Sequence, residues 1–173
     1  NSCLALEIEI ELNAYENKEF AIMLGQEEKE KIKEIVDNFK DNLNRENALL
    51  KVKQNWNNIT QKLSVKTPSE SINLLINGWL IYQTLSSRLY GKTGFYQSGG
   101  AYGFRDQLQD AFSTRYIDSQ ILYNQILKHS RHQFIEGDVE HWWHDENDRG
   151  IRTRFSDDLL WLPYAVIKYI NFT

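Results

Sequence analysis

The sequence predicts a mainly α-helical fold with a β-hairpin at its N-terminus. Three observations carry that reading. The first residues alternate in polarity with a period of two, most of the remaining chain has the 3.6-residue period of amphipathic helices, and two long irregular stretches interrupt the helices. At 173 residues, 41% hydrophobic and 25% charged, the chain has a globular composition and is long enough to bury a sizeable core.

Leu6, Ile8, Ile10 and Leu12 alternate with Glu7, Glu9 and Glu11, the pattern of a strand with one solvated face. Asn13 to Asn17 reads as a turn, and Phe20, Ile22 and Leu24 supply a partner strand ended by Gly25. A lone hairpin is marginal in water, so this one is expected to complete a larger sheet or to pack on the helices. From Glu27 to about Glu46 the stripe Ile32, Ile35, Val36, Phe39 and Leu43 predicts a helix, and Leu49, Val52, Trp56 and Ile59 predict another from Ala48 to Leu63. Thr67-Pro68 blocks its continuation, and Ser69 is placed to cap a third helix carrying Ile72, Leu75, Ile76, Trp79, Leu80 and Leu85. A glycine-rich loop comes next, from Gly91 to Gly103. Helices are then expected from Arg105 to Phe112 and from Ser119 to His132, an irregular stretch from Gly137 to Thr153, and a last helix to about Ile170 with Pro163 in its first turn. Roughly six helices after a hairpin amount to half of a double-ring helical barrel. The long loops alternate with short connections and so can gather at one end, where loops of such length are usually functional.

The charge balance excludes some classes of function. Net charge is −4 with acids and bases interspersed, which argues against a nucleic-acid or anionic-membrane surface, since those need a basic stripe. No apolar run approaches the roughly 18–20 residues that cross a bilayer. The single cysteine, Cys3, permits no internal disulfide, and the N-terminus lacks the basic start of a signal peptide, so a cytoplasmic location is expected. It also lacks Met, which suggests a sequence that begins inside a longer protein.

Three strings could carry chemistry. Arg105 and Asp106 sit at a loop-to-helix junction. The guanidinium fork suits phosphate or adjacent sugar hydroxyls and the carboxylate accepts from vicinal hydroxyls; the structural alternative is a helix-start ion pair, with Asp110 meeting Arg105. In Glu136-Gly-Asp-Val-Glu-His-Trp-Trp-His144, the paired Trp142 and Trp143 could line a sugar subsite between His141 and His144. The alternatives are a packed structural loop, or zinc held by His141, His144 and Asp145, for which the spacing matches no strong signature. Asp157 and Asp158 precede the last helix. Adjacent buried carboxyls could give a general acid a raised pKa, whereas pairing with Arg152 and Arg154, or capping of backbone N–H groups, would lower it. A Ser-His-Asp or Cys-His arrangement has little support, and neither a nucleophile elbow nor a Walker loop is present.

Taken together, Ser87-Arg88, the run Gly94-Phe-Tyr-Gln-Ser-Gly-Gly-Ala-Tyr-Gly-Phe-Arg-Asp-Gln-Leu-Gln-Asp110, the His-Trp-Trp-His string and Arg152-Thr-Arg-Phe-Ser-Asp-Asp-Leu-Leu-Trp-Leu-Pro-Tyr-Ala165 resemble glycoside hydrolase family 94. Within that family, formerly glycosyltransferase family 36, Tyr-Gln-Ser-Gly-Gly and His-Trp-Trp-His look most like cyclic β-1,2-glucan synthase and 1,2-β-oligoglucan phosphorylase. The resemblance implies a β-sandwich, a helical linker and an (α/α)6 barrel. Residues 1–25 would be the last hairpin of the sandwich, 26–46 the linker and 47–173 the first half of the barrel. It implies inverting phosphorolysis of a β-glucan oligosaccharide, with inorganic phosphate as co-substrate and no cofactor; no metal is expected, and the oligomeric state stays open, a homodimer among the options. Phosphate is already a nucleophile, so one protein acid suffices, which protonates the leaving oxygen.

Carried over by motif, Asp106 contacts the transferred glucose with Arg88 and Arg105 beside it. Gln107, Tyr96 and Gln97 belong to the same strings, and Trp142, Trp143 and His144 are placed on the acceptor side. Two departures stand out. Gly100 occupies a loop position where some members have an arginine. The Asp-Trp-Asn-Asp-like string that holds the acid is also absent, as are the family's phosphate-binding His and Thr-Gly. No catalytic residue is therefore expected here beyond Asp157 on chemical grounds, and the chain alone is expected to turn over little. The parent would be a phosphorylase, or a synthase associated with the inner membrane; the competing reading is a non-catalytic glucan-binding or assembly module.

Overall fold

A computed structural model describes residues 3–93 and 99–173, and the chain divides into two compact units, 1–51 and 52–173. In the first unit the turn falls where the sequence places it. Glu16 N–H donates to the Asn13 carbonyl, and Asn13 donates from its backbone and side chain to Glu16 Oε2 at 2.9 and 2.8 Å. The flanking residues run extended, but among the described residues before Lys29 no ladder forms, and Leu6, Ile8, Ile10 and Leu12 stay exposed. The expected hairpin is thus a turn with unpaired arms, because two short strands without a third bury too little to hold each other.

The expected helix from Glu27 to Glu46 is divided. Helix α1 covers Lys29–Lys40 and α2 covers Asn42–Thr60. Asp41 between them is extended, with φ −76° and ψ 130°, and its Oδ1 accepts from Leu43 N at 2.7 Å and Asn44 N at 3.3 Å. This carboxylate satisfies the open amides of α2 and starts it six residues before Ala48. Arg45 Nη1 donates to the carbonyls of Phe39 and Lys40, both at 2.8 Å, closing the end of α1.

In the second unit, the loop after α2 is stitched by two asparagines. Asn77 pairs with both backbone groups of Val65 (2.7 and 2.9 Å), and Asn73 does the same for Thr67 (2.7 and 3.0 Å). Ser69 holds the N-cap position of α3 (Glu70–Leu74) without a side-chain capping bond. The helix continues through a π-helical stretch (Leu75–Trp79), α4 (Leu80–Gln83) and a second π stretch (Thr84–Tyr90). Its Ile81, Leu85 and Leu89 enter the core.

Beyond the glycine-rich loop come strand β1 (Tyr102–Gly103), α5 (Phe104–Thr114), α6 (Ser119–Ser130), β2 (Glu140–His144), β3 (Arg149–Arg152) and α7 (Asp158–Ile170). Asp118 caps α6 by accepting from Gln120 N at 3.0 Å. Helix α5 packs against both α6 and α7, with Phe104, Leu108, Ala111, Leu122, Leu162 and Ala165 buried between elements. The stretch expected to be irregular, 137–153, instead holds β2 and β3, which join β1 in an antiparallel sheet of order β1-β2-β3, Tyr102 facing Trp143 and Trp143 facing Gly150. Gly137, at φ +94°, turns the chain into it. Pro163 lies in the second turn of α7, not the first, because the helix begins at Asp158. Among the described residues no helix is long and apolar enough to cross a membrane.

Candidate active site

Gly99 to Ala101, β1 and the start of α5 follow one another at a single junction. Gln107, only 2% exposed, accepts the Gly103 N–H on its Oε1 at 2.6 Å. Its amide oxygen therefore ties Gly103 to the helix and is not open to a ligand. Asp106, in the first turn of α5, is exposed, and among the described residues no hydrogen bond or ion pair engages its carboxylate. The side chain lies back over Gly103, where an added Cβ would stand 2.7 Å from Asp106 Oδ2. A side chain at position 103 would push the Asp106 carboxylate aside.

The two arginines are held from different sides. Arg88, at the end of the second π stretch, donates from Nε to Asp110 Oδ2 at 2.5 Å and from Nη1 to the Thr93 carbonyl. Asp110 is thus the partner of Arg88, not of Arg105. Burial pushes the Asp110 carboxyl above its usual range, the Arg88 hydrogen bond and charge oppose that, and the Asp106 charge adds to it. Arg105 donates from Nη1 to Asp157 Oδ2 at 3.0 Å and lies over the Trp161 ring, 5.3 Å from its centroid.

The Asp157-Asp158 doublet splits its two carboxylates. Asp157 is held below the usual carboxylate range, first by the Trp161 indole N–H at 3.3 Å and also by Arg105. That is the opposite of what a general acid needs at neutral pH, so Asp157 is an anchor for Arg105. Asp158, 3% exposed, accepts from His141 Nδ1 at 2.7 Å. Neither carboxylate pairs with the neighbouring arginines as expected. Arg152 instead meets Asp138 and Glu136.

The two tryptophans of β2 part ways. Trp143 is 0% exposed and stacks on His132 (3.8 Å) and on Tyr102 (5.4 Å). It is core, and its ring faces are already covered; the acceptor-side role expected for it is corrected on that ground. Trp142 and His144 are half-buried and meet edge to face at 5.4 Å, so both keep surface for a ligand. Lys128 ties this sheet to α6, bonding Asp145 at 2.5 Å and the Tyr102 hydroxyl at 3.2 Å. Among the described residues, no three potential metal ligands converge. Of the three weighed for zinc, His141 bonds Asp158 through Nδ1 and Asp145 bonds Lys128. Tyr96 and Gln97 lie outside the described residues.

Pairings that escape a reading of the sequence include His141 with Asp158 and Asp110 with Arg88. Neither has a local signal, since the partners are 17 and 22 residues apart.

Over its whole length the chain is 36% identical to the cyclic beta-(1,2)-glucan synthase NdvB of Rhizobium meliloti (strain 1021), of which it spans 6%. It is 26% identical, over 98% of its length, to the N,N'-diacetylchitobiose phosphorylase of Vibrio proteolyticus, and 25% identical over all of it to that of Vibrio furnissii. It spans a quarter of each of those enzymes. The model of the glycosyl hydrolase 94 superfamily catalytic domain matches residues 55–172. On this match the chain belongs to the glycosyl hydrolase 94 superfamily, with most of its length inside the catalytic domain.

Proposed function

We propose that this chain is part of the catalytic domain of an inverting phosphorylase or glycosyltransferase that acts on a β-linked glucan, the linkage being β-1,2. The observation that carries the reading is Asp106: an exposed carboxylate at the start of α5, unengaged among the described residues, on a chain segment whose arginines are held by Asp110 and Asp157. An arginine with one side fixed by a carboxylate keeps donors for a ligand in a set direction, which lowers the cost of ordering it on binding. Asp106 accepts from the hydroxyls of the transferred glucose, with Arg88 and Arg105 beside it. The linkage is supported by the 36% identity to a protein named as a cyclic beta-(1,2)-glucan synthase.

In the proposed reaction an oxygen of inorganic phosphate forms a bond to the anomeric carbon as the glycosidic bond breaks. The leaving oxygen takes a proton from a protein acid, and α-glucose 1-phosphate results. Phosphate is the co-substrate and no resident cofactor takes part. The acid is supplied from outside these residues; in support, Asp157, the carboxylate the sequence offers for that role, is held below the usual carboxylate range. The barrel is an (α/α)6 arrangement of which these helices are the first half, and the chain alone is inactive. Phosphorus NMR on the whole enzyme with a β-1,2-glucan and phosphate tests the reading: an α-glucose 1-phosphate signal is expected. Glucan binding without any phosphate consumption would favour a non-catalytic module instead.

A further inference from the structure

His141 and Asp158 form a second built feature beside the arginine anchors. The Asp158 carboxylate is almost wholly buried, and burying a charge is costly unless a partner compensates it. Among the described residues its one side-chain partner is His141 Nδ1, at 2.7 Å. An ionised carboxylate only accepts, so Nδ1 carries the proton, and the tautomer and plane of the imidazole are fixed. The ring is further held by Phe155, stacked at 4.5 Å and 22°. The His141 side chain is 36% exposed and Phe155 54%. Nε2 has no hydrogen-bond partner among the described residues and is not buried without one. Here one nitrogen is fixed by a buried carboxylate and the other is presented outward, next to an exposed aromatic face.

We propose that His141 is a specificity-determining contact of the same site, its Nε2 bonding a hydroxyl of the oligosaccharide while Phe155 lies against the sugar ring. This rests on the glucan reading above. The charge around it selects a neutral ligand over an anion. The doublet next to the ring brings two carboxylates, Asp157 and Asp158, and Asp157 already claims Arg105. A phosphate dianion would meet more negative than positive charge there, whereas a hydroxyl can bond imidazole in either protonation state. Asp158 is then a positioning residue that acts through the ring.

The test separates anchoring from contact. His141→Asn keeps a donor at the place of Nδ1, and so the bond to Asp158, but removes the group at Nε2. In the whole enzyme H141N is expected to raise KM for β-1,2-linked oligosaccharides about tenfold, as for one lost hydrogen bond, with the melting temperature unchanged. An unchanged KM overturns the proposal. Should H141N not fold, the wild type still decides: carbethoxylation of His141 by diethyl pyrocarbonate, mapped by mass spectrometry, is expected to be blocked by β-1,2-linked glucotriose and not by inorganic phosphate. Equal labelling with and without the sugar, or protection by phosphate alone, also overturns it. If the wild type yields no α-glucose 1-phosphate, the functional reading fails; if it does and His141 fails these tests, only this inference falls.

Discussion

Acid should destabilise the second unit through one residue in its core. His129 on α6 is 0% exposed, with its Nδ1 on the Gln125 carbonyl at 2.7 Å and its Nε2 without a partner among the described residues. Its ring meets Trp143 and Phe104 edge to face at 5.1 and 5.3 Å. Burial lowers its pKa from 6.5 to about 4, against the Gln125 hydrogen bond, which raises it. Above pH 6.5 the ring is neutral whether the chain is folded or not, and it contributes no pH dependence. Between 6.5 and about 4 the unfolded chain takes up a proton that the folded state refuses. Stability therefore falls with falling pH, by about 1.4 kcal/mol per pH unit. The loss approaches about 3 kcal/mol near pH 4, a large part of a marginal total. His129→Leu removes the titration and fills most of the same space. The assay is urea unfolding of both proteins at pH 7, 5.5 and 4, and the readout is the change in their stability difference, not its value at pH 7. Relative to wild type, H129L should gain about 3 kcal/mol from pH 7 to pH 4. A difference that stays constant across that range would refute the reasoning, because other carboxylates titrate in both proteins alike.

The adjacent tryptophans should respond differently. W143A should cost about 3–5 kcal/mol of unfolding free energy, while W142A should cost about 1 kcal/mol; similar costs in urea titrations would contradict the burial assigned to each. D110N should leave stability within about 1 kcal/mol, since burial already disfavours the charged form. Yet it frees the Arg88 guanidinium, so KM in the whole enzyme should rise about tenfold; wild-type KM would show that Asp110 does not position Arg88.

The sequence reveals what is local. Helix α6 is legible from Ser119 onward because its apolar spacing and its cap, Asp118, lie in one short window. The break at Asp41 rests on one side chain that accepts two amides, and an apolar stripe running from Ile32 to Leu43 hides it. The β2–β3 hairpin escapes a search for alternation because the register shifts between Glu140 and Trp142. At the other end, the alternation of Leu6 to Leu12 is real, but pairing needs a third strand that these residues do not supply. The site divides in the same way. Arg105-Asp106 is visible as a string, whereas which carboxylate holds which arginine depends on how α5 packs on α7 and on the second π stretch. Arg105 reaches across 52 residues to Asp157, and Arg88 across 22 to Asp110. Burial sorts Trp143 from Trp142, and only the fold decides it.

Asp106 is the group proposed to grip the transferred sugar, and D106N in the whole enzyme tests that role most directly. The carboxylate is exposed and unengaged among the described residues, so the melting temperature should not move. kcat/KM for phosphate-dependent release of α-glucose 1-phosphate should fall about a hundredfold or more. A D106N enzyme with wild-type kcat/KM would contradict it.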